Sequence, residues 1–117
     1  MTLPLKVLII DDNEKMRAMI ASIVRRKANE VIECADGMEA LGEYGVHRPD
    51  WVLMDVKMQN MDGLTATALL HQYYPKAKVM IVSQYDEPAM REQAQKAGAE
   101  AFVPKENLLD ILNHLNS

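Results

Sequence analysis

Val7-Leu8-Ile9-Ile10-Asp11-Asp12 decides the fold. An unbroken apolar run stops at two carboxylates. A strand with one wet face alternates apolar and polar residues; a short continuous run reads as a strand buried on both faces. The pattern returns twice. Trp51-Val52-Leu53-Met54 runs into Asp55, and Val79-Met80-Ile81-Val82 runs into Ser83. Two further stretches read as strands of a different kind. Residues 30–34 carry Glu30 and Glu33, and Ala101-Phe102-Val103 is followed at once by Pro104.

Helical spacing fills the intervals. Over 14–27, Met16, Ile20, Ile23 and Val24 recur on one face, with Asp12 or Asn13 available as the cap. Residues 37–46 form a weaker helix because Gly42 and Gly45 lower its propensity. Residues 64–74 are helical up to the stop at Pro75. Pro88 suits a first helical turn, with Met90, Ala94 and Ala97 on one face and Gly98 as the stop. Asn107 is placed to cap a last helix striped by Leu108, Ile111, Leu112 and Leu115.

Strict β-α alternation implies a parallel sheet with helices on both faces. The apolar first, third and fourth strands belong in its centre. The second and fifth, marked by glutamates and by proline, belong at the edges. The order is then 2-1-3-4-5, a five-stranded doubly wound, flavodoxin-like α/β sheet. Its switch point falls between strands one and three, where Asp11, Asp12 and Asp55 meet. Lys105 follows the fifth strand and Ser83 the fourth, so both join the same edge.

Bulk properties narrow the function. The 117 residues fit one domain, 1–117, without repeat or low-complexity linker. At 49% hydrophobic and 26% charged the chain is globular. No apolar run approaches the ~20 residues of a membrane span, and the start lacks a signal-peptide layout. The single cysteine, Cys34, excludes an internal disulfide and fits a reducing cytoplasm, with Cys34 itself buried or neutral. A net charge of −4 leaves no basic surface for nucleic acid, so any contact with DNA falls to another domain. His47, His71 and His114 show no metal-ligand spacing, and the nine methionines mostly fall on apolar faces and read as core filling.

Packed carboxylates repel one another and relax around a hard cation; Mg²⁺ prefers one or two carboxylates, water and phosphate oxygens. Asp55 is suited to ligate such an ion and to attack phosphorus as a nucleophile. Lys105 supplies a second positive contact and Ser83 a hydrogen bond to a phosphoryl oxygen. Each residue alone also has a plain reading: turn and cap for Asp11-Asp12, loop opening for Asp55, cap or turn for Ser83, a solvated side chain for Lys105.

The chain resembles two-component response-regulator receiver domains from end to end. The matching stretches are Val7 to Asp12, Asp55-Val56-Lys57-Met58-Gln59-Asn60-Met61-Asp62-Gly63, Val82-Ser83, and Gly98-Ala99-Glu100-Ala101-Phe102-Val103-Pro104-Lys105. The resemblance implies Mg²⁺ held by Asp11, Asp12, Asp55 and the backbone carbonyl of Lys57. It implies a phosphoryl group passed from a sensor histidine kinase or phosphotransfer protein to Asp55. It makes Ser83 the switch hydroxyl, Phe102 the switch aromatic and Lys105 the phosphate-binding lysine, with Lys57 and Tyr85 tuning the hydrolysis rate. Such a domain is no enzyme beyond its own phosphorylation and dephosphorylation. Its output domain or target reads the face of the fourth helix, fifth strand and fifth helix, including Met90, Gln93 and the outer side of residues 107–115. Such domains often form homodimers, phosphorylation-dependent ones included, through that face or through the first and fifth helices, and no residue of the sequence decides between those modes and a monomer.

Four positions depart from the commonest pattern. Gln59 stands for proline, Phe102 for tyrosine, Ser83 for threonine, and Glu106 for proline, so a trans Lys105-Glu106 bond is expected. The Lys105-Glu106 ending resembles receivers of LuxR/NarL-type regulators. Three alternatives remain: a pseudo-receiver that is never phosphorylated, an aspartate-nucleophile phosphatase, and a flavin carrier with the same sheet order. The phosphatase lacks a cap domain here, and acids rather than a phosphate-cradling loop follow strand one. Trp51 is close enough in sequence to Asp55 for its fluorescence to report metal binding.

Overall fold

A computed structural model describes residues 5–115; the ends of the expected 1–117 domain lie outside the described residues. Strands β1 (Lys6–Ile10), β2 (Glu30–Cys34), β3 (Trp51–Met54), β4 (Val79–Ser83) and β5 (Ala101–Pro104) alternate with helices α1 (Glu14–Val24), α2 (Gly37–His47), α3 (Gly63–Tyr73), α4 (Pro88–Ala97) and α5 (Ile111–Leu115). All pairings are parallel, and the order is β2-β1-β3-β4-β5, as the strand polarity predicts.

Alternation along β1 divides the core. Leu8 and Ile10 pack with Ala40 and Tyr44 of α2, Ala66 and Leu70 of α3, and Ala94 of α4. Val7 and Ile9 pack with Ile20, Ala21 and Val24 of α1 and with Ile111 and Leu115 of α5. Successive side chains leave a strand on opposite faces, so an all-apolar strand needs helices on both. Each such residue contributes about 1.5–3 kcal/mol on burial. That fixes the register, because a slip of one residue would exchange the two cores.

Caps set the helix starts beside the strand ends. Asn13 Oδ1 accepts from Met16 N at 2.9 Å, Asp36 Oδ1 from Met38 N at 2.8 Å, and Asp62 Oδ1 from Thr65 N at 2.9 Å. Pro88 opens α4, and Gly98 closes it at φ 108°, a conformation that favours glycine.

The structure differs from the sequence reading in local ways. The first helix stops at Val24 rather than reaching Lys27, and the chain leaves through turns. Asn107 caps no α-helix. A 3₁₀ stretch, Lys105–Asp110, precedes α5, and Asn107 sits inside it at φ −134°, ψ 52°. The apolar stripe is satisfied by either helix type, so spacing alone does not separate them. Met19 and Met38 are exposed rather than core residues. No peptide bond among the described residues is cis, Lys105-Glu106 included. No helix among them is long and apolar enough to cross a membrane.

Candidate functional site

Hydrogen bonding carries the sheet one residue past β1 and β3. Asp11 N donates to Cys34 O at 3.2 Å, and Asp55 N donates to Ile10 O at 2.9 Å. This sets Asp11 and Asp55 side by side at the C-terminal edge, both buried. Asp12, the next residue, is exposed. Carboxylate oxygens of the three lie within 4.8 Å of one another, the one cluster of metal-ligating type among the described residues.

Lys105 enters from beyond β5. Its Nζ stands 3.0 Å from Asp11 Oδ2 and 3.0 Å from Asp55 Oδ1. Burial draws the Lys105 pKa down, but hydrogen bonding and charge from Asp11 and Asp55 outweigh it, and the net shift is upward. Asp55 is pushed up from 3.8 to about 6, chiefly by burial, then by the charge of Asp11; Lys105 offsets only part. Asp11 Oδ1 is turned aside to accept from Asn13 N at 2.8 Å. Asp11 Oδ2 faces the cluster, and apart from the ion pair with Lys105 this buried oxygen has no aligned hydrogen-bond donor.

A cleft of about 180 Å³ opens over these groups. Lys57, Gln84 and Tyr85 complete its wall, and Lys57 Nζ lies 5.4 Å from the Tyr85 ring centroid. Of the residues expected at the site, Asp11, Asp12, Asp55, Lys57, Tyr85 and Lys105 line this cleft. Ser83 and Phe102 do not. Ser83 is fully buried, and its Oγ accepts from Tyr85 N at 2.9 Å, which ties the hydroxyl to the loop beyond β4. Phe102 borders a separate groove of about 210 Å³ between α4 and β5, with the Arg91 guanidinium 4.6 Å from its ring centroid.

Comparison with known proteins decides the family. Residues 7–116 match the family model of the response regulator receiver domain. The chain belongs to this family. The receiver is 41% identical over 102 residues to the chemotaxis protein CheY of Listeria monocytogenes, covering 86% of each chain. It superposes on the signal receiver domain of the response regulator NarL from Mycobacterium tuberculosis with a TM-score of 0.87 and 28% identity, covering 99% of each chain. It also matches the CheX-CheY-BeF₃-Mg²⁺ complex of Borrelia burgdorferi at a TM-score of 0.89 and 26% identity, covering 97% of this chain and 87% of that one.

Receiver domains generally bind Mg²⁺ at an acidic pocket, and the donors of this receiver fit such an ion. They are hard oxygens, and the buried Asp11 Oδ2, met only by the Lys105 ammonium, lies among them. Trp51 does not line that pocket. It is buried at the far end of β3, four residues and ~13 Å from Asp55 at strand rise, with Lys78 Nζ 4.3 Å from its ring centroid. One residue at the site escaped the sequence reading. Arg17 reaches back from α1 to the Asp11 carbonyl. Its only sequence signal was its place one turn into a helix, since helical side chains lean toward the N-terminus.

Proposed function

We propose that this receiver accepts a phosphoryl group on Asp55 from the phosphohistidine of a sensor kinase or phosphotransfer protein. The observation that supports the reading is Asp55 itself: a buried carboxylate open to a cleft, 3.0 Å from the Lys105 ammonium and clustered with two more acids. A carboxylate oxygen of Asp55 attacks phosphorus, the donor's N–P bond breaks, and its electron pair leaves with the imidazole. Asp55 must be ionised to attack, and a pKa of about 6 leaves it so at neutral pH. Lys105 is placed to follow the charge from carboxylate to phosphoryl oxygen. Asp11, Asp12, Asp55 and the Lys57 carbonyl would hold Mg²⁺, which supplies charge neutralisation on the transferring oxygens.

The acyl phosphate carries more charge and stronger acceptors than the carboxylate it replaces. Ser83 donates to it, and because Ser83 Oγ also holds Tyr85 N, the loop of Gln84, Tyr85 and Asp86 moves with it. Phe102 then turns inward, and the α4-β5-α5 face changes for its output domain or target. Lys57 and Tyr85 flank the phosphoryl site and set water access. The domain's chemistry is confined to its own phosphorylation and dephosphorylation in the cytoplasm.

The test is intact mass after incubation with acetyl phosphate, with and without Mg²⁺, beside Asp55→Asn. The expected result is one phosphoryl group that requires both Mg²⁺ and Asp55. A folded, Mg²⁺-binding protein that takes none from acetyl phosphate or from a phosphohistidine donor is a pseudo-receiver.

A further inference from the structure

The acid pair is held from behind. Arg17 Nη1 donates to the Asp11 carbonyl oxygen at 2.7 Å, and Nε donates to Glu33 Oε1 at 3.2 Å. The Asp11 carbonyl belongs to the peptide that joins Asp11 to Asp12. Its plane governs how Asp12 leaves the strand relative to Asp11. Glu33 stands on β2, opposite Ile9 of β1, so the brace is anchored on the sheet rather than on a loop. Arg25 lies 3.6 Å from the other Glu33 oxygen and steadies it. The Arg17 side chain is 18% exposed, which leaves little room for another placement. Asp11 is thus fixed at its amide by Cys34 O, at Oδ1 by Asn13 N and at its carbonyl by Arg17, and Oδ2 is the part left for the cleft.

We infer that Arg17, braced by Glu33, is a positioning residue that sets the divalent-cation affinity of the Asp11-Asp12-Asp55 cluster. The inference rests on the phosphoacceptor reading only for the cation. The guanidinium fork serves two acceptors in fixed directions, which a lysine ammonium on its flexible stem cannot do. Charge alone argues the other way. A cation beside the cluster repels Mg²⁺, so removing it should tighten binding. Positioning and charge therefore predict opposite signs.

The experiment measures the Mg²⁺ dissociation constant of the unphosphorylated protein from the rise of the unfolding midpoint with Mg²⁺, for the wild type, Arg17→Met, Arg17→Lys and Glu33→Ala. Any loss of stability in a variant appears in its Mg²⁺-free baseline and not in the dissociation constant. The expected result is about a tenfold weaker affinity in both Arg17 variants, the size usual for partners that orient metal ligands, with a smaller loss in Glu33→Ala. Unchanged or tighter binding in Arg17→Met, or full rescue by Arg17→Lys, overturns the inference. A wild type that binds Mg²⁺ but takes no phosphoryl group refutes the phosphoacceptor reading and leaves the affinity comparison standing. A wild type that binds no Mg²⁺ overturns both.

Discussion

Asp55→Asn should make the metal-free protein more stable at neutral pH. Burial and the charge of Asp11 raise the Asp55 pKa from 3.8 to about 6. Between those values the folded protein keeps a proton that the unfolded chain has released. Stability therefore falls as pH rises through this window, and the loss is complete above about pH 6. A shift of about two units corresponds to at most ~3 kcal/mol. The cleft admits water to one side of the carboxylate, which reduces this to ~1–2 kcal/mol. Asparagine keeps the shape, removes the charge and leaves Lys105 its pairing with Asp11. Urea unfolding in chelator, repeated across pH, should show the variant equal to wild type near the lower end of the window. By pH 7 it should lead by ~1–2 kcal/mol. With Mg²⁺ at a hundred times its dissociation constant, wild type gains ~2.7 kcal/mol, and the variant, short of a ligand, gains much less. A variant destabilised at every pH, or a difference independent of pH, would refute the reasoning.

Lys105→Met removes the ammonium that occupies Asp11 and Asp55; Mg²⁺ should bind more tightly while phosphorylation by acetyl phosphate slows by ~10²-fold, as when one transition-state contact is lost. Ser83→Ala should leave Asp55 modifiable, with mass spectrometry showing full loading, yet weaken the link between phosphorylation and partner binding; unchanged coupling refutes the switch. Gly63→Ala should destabilise by about 3 kcal/mol in urea, because a Cβ there overlaps the Asp55 carbonyl, which the sheet holds through Asp55 N. Substitutions at Lys57 and Tyr85, whose side chains meet over the cleft, should change the dephosphorylation rate; a flat series removes their assigned role.

The fold was legible because its central strands are apolar on both faces. Val7-Leu8-Ile9-Ile10 has no polar residue to expose, so neither an edge position nor a one-faced sheet suits it. Glu30 and Glu33 on β2 sent that strand to the rim for the same reason. The gathering of the candidate site's residues was legible because parallel strands end together, which made position after a strand a spatial statement. Contacts that depend on side-chain reach were not legible. Arg17 meets Asp11 and Glu33 through a long stem that no spacing rule assigns, and the ties of Ser83 to Tyr85 and of Arg91 to Phe102 likewise appear only in three dimensions. The 3₁₀ stretch at Lys105–Asp110 was missed because its stripe of leucines fits both helix types.

Charge explains why this arrangement suits the proposed switch better than a static ion pair. Asp11, Asp12 and Asp55 face one ammonium, Lys105, so with all four ionised two negative charges lie uncompensated at a partly buried edge. The pKa of Asp55 is raised first by burial and then by the charge of Asp11, which Lys105 offsets only in part. A divalent cation brings the sum to zero. In the proposed function, phosphorylation of Asp55 would exchange a single negative charge for nearly two and restore a deficit at this edge. Ser83 Oγ, at the end of β4, accepts from Tyr85 N and still has its own hydrogen to give. Lys105, 3.0 Å from both Asp11 and Asp55, cannot also serve three phosphoryl oxygens, so in the proposed function the new charge would recruit Ser83 and, with it, the loop at Tyr85. In the proposed function the signal would leave the site along that hydrogen bond. Ser83→Ala breaks this link without altering any charge that the transfer itself requires.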